Sequence, residues 1–466
     1  MTKGLETAMS SIDICSARQA TIKDKMEMVL DIGQLLMESG GDSKSIVRDM
    51  LRAAAYLGLH WKHLNFHMTY TTIMANYDSE KKSYTVFRKC RIHGINMTTI
   101  ADVSQLSWRA LEQKYETGTF KADLEAMKEK STRRHYPQWA TSLAAGIACG
   151  GFCKLFGCDW VAFAYTALAA CIGFWVRHGC NRFGVNPYIS IAASACIATA
   201  AAYWTQVLPG SATPWFPMIA CMLFLVPGVP LINSFDDLMN NYIVSGMTRA
   251  MNTMLVVLAM TFGIVGAISL CQIPAYSTYD IVPDSIYGSQ AIAAALAAMG
   301  FSVIFNIPPR LLPVAGIGAV MAVGTRNILA IGFDVPMAWA SFWGAALISI
   351  VGFKLAGRLR TPRSVVTVPA VIPMIPGVFM YRLLIGIFYI PSLDPQGLLT
   401  AIQSGVQAFM IILAIALGAT IPDMIAHQFI ERSKHQRLCH LLAVARSGED
   451  SAFEIETDID QASNLK

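Results

Sequence analysis

Residues 221–237 read CMLFLVPGVPLINSFDD. A segment this apolar reads as a membrane helix, yet Pro227 and Pro230 each remove a backbone donor and Gly228 lies between them. Proline inside a helix also clashes with the preceding turn, so a break is expected here. The stretch has an echo: LVPGVPLIN at 225–233 resembles MIPGVFMYR at 374–382, 149 residues later. The same offset aligns Gly151 and Phe152 with Gly300 and Phe301, Phe156 with Phe305, Arg177 with Arg326, and Pro187 with Pro336, without a gap. Alanine and leucine coincide cheaply in apolar sequence; proline, arginine and glycine at one offset do not. An internal repeat is therefore expected.

Composition sets the frame for that repeat. The 466 residues are 54% hydrophobic and only 14% charged, against roughly 25% charged in an ordinary globular chain. Charge concentrates in residues 1–136 and is sparse from 137 to 425. The net charge of +5 follows the loops and gives no case for nucleic acid. The opening MTKGLETAMSSIDICSARQATIKDK lacks the apolar core of a signal peptide, so the head is expected in the cytoplasm. Most of the eleven cysteines lie in apolar stretches (Cys149, Cys153, Cys171, Cys196, Cys221), where a thiol acts as a small hydrophobe. Disulfides are not expected, and Cys149, Cys153 and Cys158 lack metal-ligand spacing.

A span needs about 20 apolar residues. Ten are expected, at 138–157, 160–177, 187–207, 214–232, 250–272, 287–307, 311–331, 336–356, 365–389 and 398–421. With a cytoplasmic head, inner loops should be rich in Lys and Arg. Arg133, Arg134, Arg177, Arg182, Arg249, Arg310, Lys354, Arg358, Arg360, Arg363, Arg432, Lys434 and Arg437 all fall on the inner side. The outer loops QVLPGSAT, QIPAYSTYDIVPDSIYG and PSLDPQG hold neither. Arg326 is the exception, as the repeat counterpart of the inner Arg177. Five spans per copy is odd, so the second copy enters the membrane inverted. The expected fold is a mainly α-helical polytopic membrane protein with a five-plus-five inverted repeat. Its expected domains are a cytoplasmic α+β domain over 1–136, membrane repeats over 137–272 and 273–425, and a charged cytoplasmic tail over 426–466, disordered towards its end.

Inverted repeats with Gly/Pro-interrupted segments at matching positions mark the substrate sites of many secondary transporters. Broken backbone in a membrane survives only where protein buries it or a wet cavity faces it. A half-helix N-terminus favours a carboxylate. The competing reading is that the prolines only kink helices for packing.

PGVPLINSFDDLMNNYIVSGMTR at 227–249 and LLMESGGDSKSIVRDMLRAAAYLGL at 35–59 resemble the first domain of the threonine/serine exporter family. FNIPPRLLPVAGIGA at 305–319 and VPAVIPMIPGVFMYR at 368–382 resemble its second, smaller domain. The resemblance covers residues 20–425. It implies export of threonine and serine, or, in other members, of dicarboxylates such as succinate. Some members divide the two domains between chains; here they are fused.

Pro227, Gly228, Pro376 and Gly377 are candidates for substrate binding, with the repeat-equivalent Asn233 and Arg382. An arginine in a span is a functional hypothesis by default, set against one that snorkels to the interface. Asp236, Asp237 and Asp423 are candidates for proton coupling. For Asp237 the competing reading, an acidic connector face closed by Arg249, is preferred. Asp423 and His427, one turn apart, also read as a solvated helix end. His60, His63 and His67 suggest zinc, but a fourth ligand is lacking and the run alternates like a strand. Trp160, Trp204 and Trp215 suit interfacial anchors. In the head, helices are expected over 17–40, 43–57, 97–115 and 119–130, and strands over 62–75 and 82–92, with no phosphate-binding loop. No HExxH or GxSxG motif suggests an enzyme. Neither metal nor cofactor is expected, and the expected partners are lipid and a small amino acid or dicarboxylate. A homo-oligomer stays open, and the expected location is the bacterial cytoplasmic membrane with both termini inside.

Overall fold

The computed structural model describes residues 21–79, 82–90, 94–112, 117–131, 135–272, 287–359, 361–389 and 395–446. They form two compact units, one drawn from 1–94, 102–133 and 428–466, the other from 95–101 and 134–427.

In the first unit, Thr21 opens helix α1 (Ile22–Glu38) with a capping box: its hydroxyl accepts from the Asp24 amide while the Asp24 carboxylate accepts from the Thr21 amide. Gly40, at φ +84°, ends it, and the Asp42 side chain accepts from the Ser45 amide to start α2 (Ser43–Tyr56). Three antiparallel strands follow in the order β1 (Leu64–Met68), β2 (Thr72–Ser79) and β3 (Lys82–Lys89). The single strand expected over 62–75 is thus two. The Thr69 amide donates to the Thr72 carbonyl at 2.9 Å, and the Thr69 hydroxyl accepts from the Thr72 amide at 3.1 Å, folding MTYTT into a tight turn. Helix α3 (Met97–Glu112), which belongs to this unit from Asp102 onward, and α4 (Thr117–Ser131) complete the set. Gly33 lets α1 approach α2 and β2: a Cβ there would meet the Met50 sulfur at 2.6 Å. Met26, Leu30, Ile46, Met50, Ile73 and Phe120 form the core. Within it, Arg52 donates to Asp49 at 2.6 Å and lies 4.2 Å over the Trp108 ring. Burial dominates both charges, pushing the Asp49 carboxyl up and lowering Arg52 to about 10.

The second unit is helical: α5 (Gln138–Leu155), α6 (Trp160–Arg182), α7 (Pro187–Trp204), α8 (Phe216–Ala220), α9 (Gly228–Met239), α10 (Ile243–Leu270), α11 (Tyr287–Ile304), α12 (Leu312–Asn327), α13 (Met337–Leu359), α14 (Arg363–Val371), α15 (Gly377–Phe388) and α16 (Pro395–Arg446). Among the described residues, seven helices are long and apolar enough to cross a membrane, and counting each bent pair as one span gives nine. The bent pairs are Phe216–Leu225 with Gly228–Met239, at 58°, and Arg363–Met374 with Gly377–Phe388, at 60°. The expected first span, 138–157, is α5, which is not among the nine. Its residues are small and mostly buried in protein, including Thr141, Ser142, Gly146, Gly150, Gly151 and Lys154, because neighbouring helices rather than lipid cover it. The last expected span, 398–421, belongs to a helix that continues to Arg446. The tail is therefore helical over 426–446, while 447–466 lies outside the described residues.

α5 and α11 cross through their small residues. A Cβ on Gly151 would lie 2.8 Å from the Ala293 carbonyl and 2.9 Å from the Ala297 amide; one on Gly300 would lie 2.5 Å from the Ala144 carbonyl and 2.9 Å from the Ala148 amide. Each contact is the other shifted by 149 positions with partners exchanged, as a two-fold axis requires. The later glycine of each helix meets the earlier alanines of its partner, so the two run antiparallel. Such stripes of small residues allow close backbone approach between membrane helices.

Candidate functional site

The two breaks share one construction. Leu223–Leu225 and Ile372–Met374 are single 3-10 turns. Val226 and Ile375 are then extended, and Pro227 (φ −80°, ψ 63°) and Pro376 (φ −83°, ψ 56°) each centre an inverse γ-turn. The bond closing each turn runs from the Gly228 amide to the Val226 carbonyl at 2.8 Å, and from the Gly377 amide to the Ile375 carbonyl at 2.9 Å. Helices α9 and α15 start at these glycines without a side-chain cap.

The breaks also meet each other. A Cβ on Gly228 would lie 2.8 Å from the Cδ1 atoms of Ile372 and Ile375; one on Gly377 would lie 2.9 Å from Leu223 and 3.6 Å from Val226. Each half-helix start sits against the other break's apolar turn, so a side chain at either glycine would have to displace the ends of Ile372 and Ile375, or of Leu223. Pro230 removes a further first-turn donor from α9, whereas its counterpart Phe379 keeps one on α15. The α15 start therefore offers more amides to an anion. Arg382, half-buried, lies one to two turns further along it, and the counterpart Asn233 in α9 is 5% exposed.

The acidic pair after the first break divides. An Asp236 carboxylate oxygen accepts from Thr420 of α16 at 3.2 Å and from Asn240 at 3.3 Å. Asp237 is fully buried, 3.1 Å from Arg249 Nε of α10, with Ser245 donating to the same oxygen at 3.1 Å. The expected partner of Asp237 is the observed one, but the pair is enclosed, with Arg249 3% exposed, and is no solvated connector face. Asn241, at φ +67°, makes this possible by turning the chain so that the Tyr242 amide closes on the Asp237 carbonyl at 2.8 Å. At the equivalent place in the other copy Gly386 packs on Ala401, whose Cβ would collide with an added methyl. Asp423 and His427 fall within α16, but their side chains lie outside the described residues. His60 and His63 stack edge-on with centroids 5.5 Å apart, and among the described residues no three ligating side chains gather round a metal position.

Sequence reasoning missed two polar clusters. In one, Arg326 donates to Asn327 at 3.1 Å and Asn327 donates to Gln290; Arg326 thus has a polar partner besides its place in the repeat. In the other, Asn306, at φ +56°, receives the His135 amide at 2.8 Å and donates to Asn96 at 2.8 Å. The Met97 amide, the Thr98 hydroxyl and the Tyr136 hydroxyl donate to the carbonyls of Phe305, Asn306 and Ile307. An Asn where its repeat counterpart is Gly157 was the only signal.

The chain is a multi-pass membrane protein with two helix breaks, and in a bilayer such backbone is tolerated only where protein buries it or it lines a wet cavity. Residues 27–271 match the ThrE family model, and residues 290–425 match the model described as "Threonine/Serine exporter, ThrE". The chain belongs to the threonine/serine exporter family. It is similar to the "Probable succinate transporter subunit YjjP" of Klebsiella aerogenes, 27% identical over 236 residues that make up 50% of this chain and 89% of that protein. The protein of the same description from Escherichia coli strain K12 is 26% identical over 253 residues, 52% of this chain and 93% of its own. An uncharacterized protein of Haemophilus influenzae is 31% identical over 137 residues, 29% of this chain and 46% of that one. No solved structure matches.

Proposed function

We propose that the chain is a gradient-driven secondary exporter of threonine and serine, working by alternating access around the crossed breaks. The observation that carries this reading is the reciprocal packing of Gly228 on Ile372 and Ile375, and of Gly377 on Leu223 and Val226. Two half-helix starts held face to face can pass from one packing to its mirror, which is what alternating access asks of a repeat. In this reading α5 is a tenth span, and the ten form a five-plus-five inverted repeat over 137–272 and 273–425. Both termini face the cytoplasm of a bacterial inner membrane. The substrate carboxylate binds the amides at the start of α15 with Arg382, and Asn233 faces its polar remainder. Asp236 is the proton-coupling carboxylate, because its bond to Thr420 joins the first copy to the last helix of the second. Asp237, already neutralised by Arg249, has a structural role, and Asp423 is kept as a second coupling candidate.

A second reading, export of a C4-dicarboxylate such as succinate, draws support from what the two curated relatives are described as carrying. Flux of radiolabelled threonine, serine and succinate in proteoliposomes, with and without a pH gradient, separates the two. Threonine and serine flux that grows with the gradient is the expected result. Succinate flux alone would shift the reading to the second, and no flux of any of them from folded protein would end both.

A further inference from the structure

The C-terminus of α5 is a Schellman turn. The Cys158 amide donates to the Cys153 carbonyl at 3.3 Å, the Gly157 amide to the Lys154 carbonyl at 3.0 Å, and Gly157 takes φ +103°. This motif usually seals itself with an apolar contact between the two residues that its longer bond joins. Here both are cysteines. Both side chains are fully buried, and the Cys158 thiol donates to the Asp159 carbonyl at 3.2 Å. The repeat counterpart has the same two bonds, from Ile307 to Ser302 at 2.9 Å and from Asn306 to Val303 at 3.0 Å, but no thiol. The turn therefore needs no cysteine for its geometry.

We infer that Cys153 and Cys158 form a disulfide that pins the end of α5 to the start of α6. The turn sets the two residues face to face before any oxidation, so bridging them asks for little backbone movement. The residue after Cys158 is the cap of α6: the Asp159 carboxylate accepts from the amides of Ala162 and Ala212 and from the Ser211 hydroxyl at 3.2 Å. Lys154 closes the same turn by donating to the Cys158 carbonyl at 2.8 Å. The bridge would thus fix the point on which the loop after α7 is hung. The oxidant is a disulfide donor of thiol-oxidase type. One cysteine thiolate attacks the donor disulfide and releases one donor thiol; the other then attacks the mixed disulfide and releases the second. Two protein thiols and one donor disulfide become one protein disulfide and two donor thiols. That this end of α5 meets such a donor rests on the topology proposed above, which places it outside; the geometry of the pair does not.

The test quenches cells with N-ethylmaleimide, purifies the full-length protein without reductant and maps its tryptic peptides. Cleavage at Lys154 separates the two cysteines, so a bridge appears as two linked peptides, two hydrogens lighter than their sum. The linked species is expected to be the majority form, to vanish on reduction, and to be absent from Cys153→Ser and Cys158→Ser. Linkage after diamide treatment of membranes but not in quenched cells would uphold the pair and overturn the outer location. Both thiols alkylated separately in cells and after diamide, from protein that elutes as a folded species, would overturn the inference itself.

Discussion

Phe152 and Phe301 meet edge-on with ring centroids 5.7 Å apart, and each occupies the position that the other takes when the chain is shifted by 149 residues. Only residues beside a symmetry axis touch their own counterparts. The rings sit next to Gly151 and Gly300, so the axis runs through the α5–α11 crossing, and the stability of the membrane unit should depend on it equally from both sides.

Gly151→Ala and Gly300→Ala each press a methyl onto backbone atoms of the other helix. Overpacking of this kind typically costs about 1–3 kcal/mol. Both variants are expected to lower the melting temperature in detergent, by similar amounts. Gly179→Ala and Gly324→Ala, whose new methyl meets nothing within 4 Å, are expected to be neutral or stabilising.

Asp237→Asn leaves Arg249 enclosed with its counter-charge removed. Breaking a buried pair from one side costs about 3–5 kcal/mol, so thermal unfolding should move down sharply. The double variant Asp237→Asn with Arg249→Met should recover much of the loss. A double variant no better than the single one would show that shape, not charge, carries the hairpin.

Asn306 combines a left-handed backbone with two side-chain hydrogen bonds. Asn306→Gly keeps the first and loses the second, at about 1 kcal/mol per bond. Asn306→Ala loses both and adds the strain of a positive φ. The expected order of melting temperatures is wild type, glycine variant, alanine variant. Hydrogen exchange over 95–101 should rise in the same order.

Asp49→Ala removes the carboxylate to which Arg52 donates and leaves its largely buried guanidinium over the Trp108 ring. Exchange protection of α2 amides is expected to fall by at least tenfold at constant pH. Protection unchanged would mean that the stacked guanidinium needs no carboxylate.

Much of this was legible in the residues. Proline has one mechanical meaning inside a helix, so Pro227 and Pro376 announced both breaks and their equivalence. Asp42 marks a helix start by the same kind of local chemistry, whereas the Thr21–Asp24 capping box is not singled out by the sequence and the first helix is expected from residue 17. Residue Thr69 shows the limit: a run of strand formers hides a turn closed by one backbone bond and one side-chain bond between Thr69 and Thr72. The pairing of Asp237 with Arg249 was legible too, but its full burial and the bond of Asp236 to Thr420 were hidden, because adjacent helix positions point about 100° apart and nothing local says what waits in each direction. The expected span over 138–157 shows a related limit: α5 is less apolar than the other spans, and its sequence does not say how much of it neighbouring helices bury.

The two 3-10 turns and the two half-helices behind the breaks have bounds that coincide to the residue under the 149-residue shift: Leu223–Leu225 with Ile372–Met374, and Gly228–Met239 with Gly377–Phe388. Each added residue would turn the remainder of the helix by about 100° and advance it by about 1.5 Å, so equal length keeps every counterpart at the same angle and depth. The molecule therefore carries its own reference. A side chain moved from one copy to the other arrives in the same frame, and whatever changes can be ascribed to chemistry rather than to place. Asp236 grafted at Ile385 would be compared with an original in the same polypeptide, at the same concentration and in the same membrane.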